Sequence, residues 1–156
     1  AEFDIKPFGI RAMDSMRLEK SYRLIPREMS IEYSALESGL DRFVKLDKEC
    51  DFVGKQALMA WQGRGFINSF ATLEVHGVTD ADARGSEGLY RDGQLVGRAT
   101  SGGYGFRTQK SLALGLVNAE YSTIGTELEI EILGERYAAT VIEESAFDPD
   151  NAALRS

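Results

Sequence analysis

The chain has 156 residues, of which 43% are hydrophobic; this suffices for one domain with a core and an appendage, whereas two full domains would be crowded. Its formal net charge is −7, and because binding to a phosphate backbone needs clustered Lys and Arg, no nucleic-acid partner is predicted. Cys50 is the single cysteine and excludes an internal disulfide, and no apolar run approaches the roughly 18 residues of a membrane span, so we interpret the chain as cytoplasmic with no membrane partner.

The first predicted element is a helix over residues 9–20, G-I-R-A-M-D-S-M-R-L-E-K. Ile10, Met13 and Met16 recur every three residues among charged side chains, which predicts that these three form a buried apolar face. Few residues precede the helix, and an isolated helix of this length is marginal in water. We therefore interpret the chain as a fragment whose earlier part is missing.

Two charge pairs have the spacing of ion pairs on one helix face. Asp14 and Arg17 are three positions apart, and Glu19 and Arg23 are four apart, so both pairs are predicted to support the helix. Pro26 then prevents any continuation of the helix.

Residues 39–65 are predicted to be a connecting strand and helix. Alternation of apolar and charged side chains over residues 40–46 favours a short strand. Asp51 is the predicted N-cap of a second helix over residues 52–61, which ends before Gly63.

From residue 66 onward the hydrophobic period changes to two, which is typical of strands with one buried face. The predicted strands cover residues 70–76, 111–117, 126–133 and 137–142. Asp92-Gly93 between apolar pairs predicts a hairpin with a type I′ turn. Short strands with regular turns indicate a small antiparallel barrel or sandwich, so the predicted fold class is α+β, mostly β with short helices.

Few residues point to chemistry. The glycine-rich stretch 101–105 lacks the ending of a phosphate-binding loop, and a β-bulge or tight corner with positive φ is favoured. His76 is the single histidine and is predicted to be structural or solvent-facing. The acidic stretch 79–87 lacks the spacing of a calcium loop and is predicted to be a solvated loop, so no metal site is predicted.

Arg11 and Arg17 are candidate ligand-binding residues, because guanidinium groups capture carboxylates in a bidentate manner.

Three blocks of the sequence, in order, resemble the glycine-cleavage T-protein family. Residues 9–20 resemble its G-x-x-A-x-D-S-L-R-L-E segment, and residues 36–58 resemble its E-x-G-L…V-K…D-F-I-G-x-x-A-L region. Residues 93–126 are similar to its C-terminal barrel pattern, G-x-x-V-G…T-S-G…S-L-A-L-G-Y-V…G-T. The resemblance covers nearly the whole chain.

The resemblance implies a tetrahydrofolate-dependent protein that moves a one-carbon unit from a small amine to folate bound in a central hole. Residues 1–38 would be the terminal segment of the folate-binding domain. Residues 39–65 would be a connecting strand and helix, and residues 66–156 would form the C-terminal β-barrel. The catalytic aspartate and the glutamate that holds the pterin would lie in the missing N-terminal part, which would be the partner of this fragment. No catalytic residue is therefore assigned, and the fragment alone is expected to be inactive.

The resemblance also assigns cofactor-binding residues. T-proteins usually carry arginine where this chain has Met13, and Arg11 is the residue that could substitute, so Arg11, Met13 and Arg17 are predicted to contact folate. Met13 and the tail 147–155 look more like the folate-binding half of sarcosine and dimethylglycine dehydrogenases, in which a flavin part precedes a T-protein-like module. FAD would belong to a missing upstream domain, because this chain has no dinucleotide-binding motif.

Three functions remain open at this point. The first is the C-terminal part of a folate-dependent protein of the sarcosine or dimethylglycine dehydrogenase kind. The second is an aminomethyltransferase of glycine cleavage. The third is a non-catalytic barrel module for domain or subunit contacts.

Overall fold

The computed structural model describes residues 3–156. Its six strands are β1 (Asn68–Val75), β2 (Gly88–Arg91), β3 (Gln94–Gly105), β4 (Lys110–Asn118), β5 (Glu127–Ile132) and β6 (Glu135–Ile142). They form a closed antiparallel barrel in the order β1-β4-β3-β2-β5-β6. The helices are α1 (Ile10–Glu19), α2 (Lys55–Arg64) and the short α3 (Ala152–Arg155). The predicted fold class, with a small antiparallel barrel and short helices, is confirmed.

The alternation of side chains fills the barrel. In β5, Leu128, Ile130 and Ile132 point inward and are at most 4% exposed, while the intervening glutamates face outward, as the period of two predicts. The inward positions of the other strands join them in one apolar core. Apolar burial of this kind is the main stabilising contribution to such a barrel.

Two tight turns follow the predicted turn chemistry. Between β2 and β3, Asp92 has φ 51° and Gly93 has φ 78°, so positive φ at both central positions confirms the predicted hairpin. Leu133 (φ 52°) and Gly134 (φ 85°) connect β5 to β6 in the same way.

The predicted buried face of α1 is wrong. Ile10, Met13 and Met16 are 73%, 49% and 50% exposed, whereas Leu18 is 1% exposed. Within the described residues, α1 packs on the barrel strands β3 and β4. It does so through the side of the helix that carries Leu18. The apolar stripe that the period of three identified therefore faces outward.

The connecting region also differs from the prediction. No strand forms over residues 40–46; Asp41–Phe43 make a single 3₁₀ turn instead, because each strand of a closed barrel already has two neighbours and no edge is open. Gly54 rather than Asp51 precedes α2, and the helix continues through Gly63 to Arg64.

The glycine-rich stretch 101–105 lies within β3, and the predicted positive φ is wrong because none of its glycines has one. The predicted bulge is confirmed nearby, since the pairing with β4 shifts register between Ala99 and Ser101. A Cβ at Gly102 would lie 2.6 Å from the Cβ of Ala83. Glycine is thus required there by the close approach of a neighbouring loop.

No helix in the described residues is both long and apolar enough to cross a membrane.

Candidate functional site

Helix α1 is seated on strand β3. The Leu18 side chain lies over Gly103, where an added Cβ would come within 3.0 Å of Leu18 Cδ1. One turn earlier, Ser15 Oγ donates a hydrogen bond to the carbonyl oxygen of Tyr104 at 2.7 Å. An apolar contact and a polar contact therefore fix the helix against the barrel.

Glu19 is the last residue of α1, and its carboxylate binds the barrel rather than Arg23. Its Oε1 accepts hydrogen bonds from the backbone N–H groups of Arg107 and Thr108, both at 2.8 Å. The predicted Glu19–Arg23 pair is wrong, because α1 ends at Glu19 and the i,i+4 geometry ends with it. Arg23 instead donates from Nη1 to Glu144 Oε1 at 2.6 Å.

Arg17 is held inside the protein. Its Nε donates to Asp14 Oδ1 at 2.7 Å, which confirms the predicted i,i+3 pair, and its Nη1 donates to the carbonyl oxygen of Tyr22 at 3.2 Å. Nη1 also lies 3.5 Å from Glu28 Oε2. Nη2 is buried with no hydrogen-bond partner among the described residues. Arg17 therefore orders the chain that follows α1, and its predicted contact with folate stays a prediction.

A buried carboxylate completes this polar cluster. Glu28 is fully buried, and its Oε1 accepts hydrogen bonds from Thr100 Oγ1 at 2.6 Å and Ser101 Oγ at 2.5 Å. Its Oε2 accepts from the backbone N–H of Leu24 at 2.8 Å. Nothing in the mixed polarity around this residue marks it as buried, because its partners come from a distant strand.

A groove of about 340 Å³ runs between α1, β3 and the loop that precedes β2. We call it the α1 groove. Residues from all three elements line it, among them Arg11, Asp14, Asp82, Arg84, Tyr104 and Phe106. The rings of Tyr104 and Phe106 meet edge to face, with centroids 5.1 Å apart, and form its aromatic wall.

Two cations in the α1 groove lack ion pairs. Arg11 and Arg84 are exposed, and neither lies within 4 Å of a carboxylate in the described part of the chain. Asp14, in contrast, is paired with Arg17, which also lies 3.5 Å from Glu28. Free guanidinium groups of this kind are suited to carboxylate or phosphate ligands.

The structure separates the three predicted site residues. Arg11 lines the α1 groove, Arg17 is buried at the base of the helix, and Met13 lies on the exposed apolar face. Sequence reasoning missed Arg84 as a neighbour of Arg11, because a loop far along the chain brings it there.

His76 lies away from the α1 groove, whereas the loop over residues 79–87 contributes Asp82 and Arg84 to its lining. His76 is exposed and its Nε2 is 2.9 Å from Thr140 Oγ1, as expected for a solvent-facing residue. The loop over residues 79–87 is only partly solvated, because Ala83 within it is 2% exposed. No cluster of three or more potential metal ligands occurs in residues 3–156.

The fold places the chain among closed antiparallel β-barrel proteins, with a preceding helix seated on one strand. The glycine cleavage T-protein C-terminal barrel domain matches residues 69–148, and the GCVT N-terminal domain matches residues 1–48. The chain belongs to the glycine cleavage T-protein family.

Relatives of two kinds support this assignment. The mitochondrial dimethylglycine dehydrogenases of Rattus norvegicus and Homo sapiens are 41% identical over 143 residues, which is 92% of this chain but 17% and 16% of those proteins. An aminomethyltransferase of Desulfitobacterium hafniense is 35% identical over 138 residues, 88% of this chain and 37% of that protein. The chain therefore spans well under half of the relatives that it matches.

The fold has a solved counterpart. The crystal structure of glycine cleavage system aminomethyltransferase T from Bartonella henselae superimposes with a TM-score of 0.81 at 25% identity. The match covers 90% of this chain and 39% of that one. Both the helical segment and the barrel thus have equivalents in a single larger protein.

Proposed function

We propose that this chain is the C-terminal part of a tetrahydrofolate-dependent one-carbon-transfer protein with a dimethylglycine dehydrogenase-like parent. The observation that carries the proposal is the 41% identity to dimethylglycine dehydrogenases over 92% of the chain, against 35% to an aminomethyltransferase. Met13 supports it, since the pattern of T-proteins proper usually has arginine at that position.

In this proposal residues 1–38 end the folate-binding domain, residues 39–65 connect, and residues 66–156 form the barrel; residues 1 and 2 lie outside the described part. The exposed stripe of Ile10, Met13 and Met16 supports the proposal, because an apolar face of this kind marks a contact surface. Its partner would be the missing N-terminal part of the same protein. The chain would close one side of a cavity between domains, where ligand sites commonly form.

The residues present fit one end of a tetrahydrofolate ligand. When bound, tetrahydrofolate supplies the amine nitrogens that take up the one-carbon unit from the small amine substrate. The thioether of Met13 is half exposed and suits contact with a flat aromatic ring. Arg11 offers an unpaired guanidinium on the barrel side of α1, opposite Met13, and buried Arg17 would position the helix that carries both.

FAD does not fit the part of the chain that the structure describes. The glycine-rich stretch 101–105 continues β3 and leads by a turn into β4 rather than into a helix, whereas a dinucleotide site needs glycines at the start of a helix. A flavin would therefore belong to another part of the parent.

Calorimetric titration of the full-length parent with tetrahydrofolate tests the proposal. We expect binding, and we expect Met13→Asp to weaken it about tenfold or more, because a charge would replace an apolar contact. Met59→Asp is the matched control, since Met59 is 45% exposed on α2 and should leave the affinity unchanged. Absence of any tetrahydrofolate binding by the unmodified parent would overturn the proposal.

A second candidate is an aminomethyltransferase proper, which the TM-score of 0.81 to such an enzyme favours. In that case Met13→Arg should strengthen ligand binding, because it restores the arginine of the family pattern. In a dimethylglycine dehydrogenase-like parent the same change should weaken binding. The sign of the effect in the same titration separates the two candidates.

The predicted cytoplasmic location stays a prediction. The dimethylglycine dehydrogenases of rat and human are named as mitochondrial proteins, so fractionation of cells that produce the parent is the direct measurement.

A further inference from the structure

We infer that an apolar groove formed by residues 25–40 is a docking surface for the N-terminal part of the parent, which fills it with apolar side chains. The groove has a volume of about 490 Å³, and we call it the 25–40 groove. The inference rests on the proposed function and adds a second contact surface, separate from the outward stripe of α1.

Large apolar side chains are exposed around this groove. Ile31 is 105% exposed and Ile25 is 77% exposed, and Pro26, Met29 and Leu40 also line the groove. Single exposed apolar residues are normal on a protein surface, but several that share one concave surface mark an interaction site. None of the residues that line the groove is charged, so its occupant is apolar.

The backbone of the groove is held by hydrogen bonds within the chain. Glu28 is fully buried and binds strand β3 of the barrel through its carboxylate. Ser38 Oγ donates to the carbonyl oxygen of Glu28 at 2.9 Å, and Glu37 Oε2 accepts from both the N–H and the Oγ of Ser34 at 3.0 Å. Because the groove is formed before any partner binds, little conformational entropy is lost on docking.

The position of the groove in the chain indicates its occupant. Residues 25–40 lie within the match to the GCVT N-terminal domain over residues 1–48 and outside the barrel match over residues 69–148. The aminomethyltransferase of Desulfitobacterium hafniense is matched over only 37% of its length, so more than half of such a protein lies outside the match. Residues of one domain share a hydrophobic core, and the rest of this domain is therefore the partner that covers the groove.

A second copy of the chain fits the groove less well. A symmetric dimer through this surface would place the groove against its own copy. Two concave surfaces that face each other leave the space between them unfilled, whereas protein interiors are closely packed. A protruding apolar segment of the N-terminal part meets this requirement.

Thiol labelling of the full-length parent tests the inference. Cys50 is exposed, so Cys50→Ser is the background for Ile31→Cys, and peptide mass spectrometry reads the rate of maleimide addition at residue 31. Ile124→Cys is the matched control, because Ile124 is 64% exposed on the barrel before β5. In the parent, residue 31 should react about tenfold or more slowly than residue 124, since its thiol must wait for local opening.

The same variants in the 156-residue chain identify the cause of the protection. Without the N-terminal part, residues 31 and 124 should react at similar rates. Ile31→Asp adds a test of the apolar character of the contact: it should lower the urea midpoint of the parent but leave that of the 156-residue chain unchanged. Ile124→Asp should change neither midpoint.

The outcomes separate the inference from the function on which it rests. Equal labelling rates at residues 31 and 124 of the parent would overturn the inference. Protection that disappears when the parent is diluted would assign the groove to a second copy and overturn it as well. Labelling requires no folate, so a parent that protects residue 31 but binds no tetrahydrofolate would lose the proposed function and keep the contact.

Discussion

The Oε1 atom of Glu19 accepts a hydrogen bond from the backbone N–H of Thr108 at 2.8 Å, across 89 positions of the sequence. The same oxygen accepts from the N–H of Arg107 at 2.8 Å and from Thr108 Oγ1 at 3.1 Å. One carboxylate at the end of α1 thus caps the turn between β3 and β4. This contact joins the part matched by the N-terminal domain model to the barrel.

Glu19→Ala should destabilise the chain by about 1–3 kcal/mol, because it leaves the N–H groups of the turn without their acceptor in a region where Glu19 is 4% exposed. Urea unfolding followed by circular dichroism measures the change. Glu120→Ala is the control, since Glu120 is exposed and its loss should alter the free energy of unfolding by about 0.5 kcal/mol or less. Equal unfolding midpoints for the two variants would contradict the capping role.

Local patterns predicted the barrel because a strand's inward face is set by a period of two. Leu128, Ile130 and Ile132 are all buried as that period requires, and Asp92-Gly93 forms the expected turn because positive φ is a property of the turn itself. The family resemblance then supplied the closure into a barrel, which alternation alone left open against a sandwich.

The side-chain contacts that the sequence did not predict depend on tertiary structure. Arg23 was expected to pair on its own helix, yet its guanidinium lies 3.8 Å from the Phe70 ring centroid and binds Glu144, 121 residues away. Arg11 and Arg84 line one groove for the same reason, because the fold brings a distant loop next to α1. The spacing of residues along a helix does not predict contacts with side chains that lie on a distant strand or loop.

Glu28→Ala should destabilise the chain by about 3–5 kcal/mol, because it removes the acceptor of Thr100 and Ser101 and leaves Arg17 with one carboxylate fewer. Glu28→Gln keeps an acceptor and should cost less. Arg136→Gln breaks two exposed ion pairs on the barrel and a cation–π contact with the Tyr90 ring at 3.8 Å, and should cost about 1 kcal/mol. Thermal unfolding of the three variants checks this order, and a Glu28→Ala cost no larger than that of Arg136→Gln would disprove the role of the cluster.

Gly102→Ala should destabilise the chain by about 1–3 kcal/mol, because its Cβ would lie 2.6 Å from the Cβ of Ala83 and 2.7 Å from its carbonyl oxygen. Gly63→Ala is the matched change in a helix, where a Cβ would meet nothing within 4 Å. It should stabilise the chain by up to about 1 kcal/mol. Opposite signs in chemical unfolding are the expected result, and a neutral Gly102→Ala would mean that the loop before β2 yields easily.

Tyr137 should titrate above its ordinary pKa. Its hydroxyl donates a hydrogen bond to Glu135 Oε2 at 3.0 Å, and this bond is the main cause of the raised pKa, because the phenolate cannot donate it. Glu135→Ala removes the acceptor and should therefore lower the pKa of Tyr137. Titration of the ring carbon signal by NMR in both proteins measures the difference, and an identical pKa would exclude the hydrogen bond as its cause.

Two residues of α1 decide which of its faces is buried. Leu18 is 1% exposed against β3 and Met16 is 50% exposed on the outward stripe, so Leu18→Ala should cost about 2–5 kcal/mol of unfolding free energy. Met16→Ala should change it by about 0.5 kcal/mol or less. Denaturant unfolding of this 156-residue chain separates the two, and a larger cost for Met16→Ala would mean that the helix packs by the face expected from its period of three. If the order holds in this chain but Met16→Ala destabilises the full-length parent, the outward stripe is a contact surface for the rest of that protein.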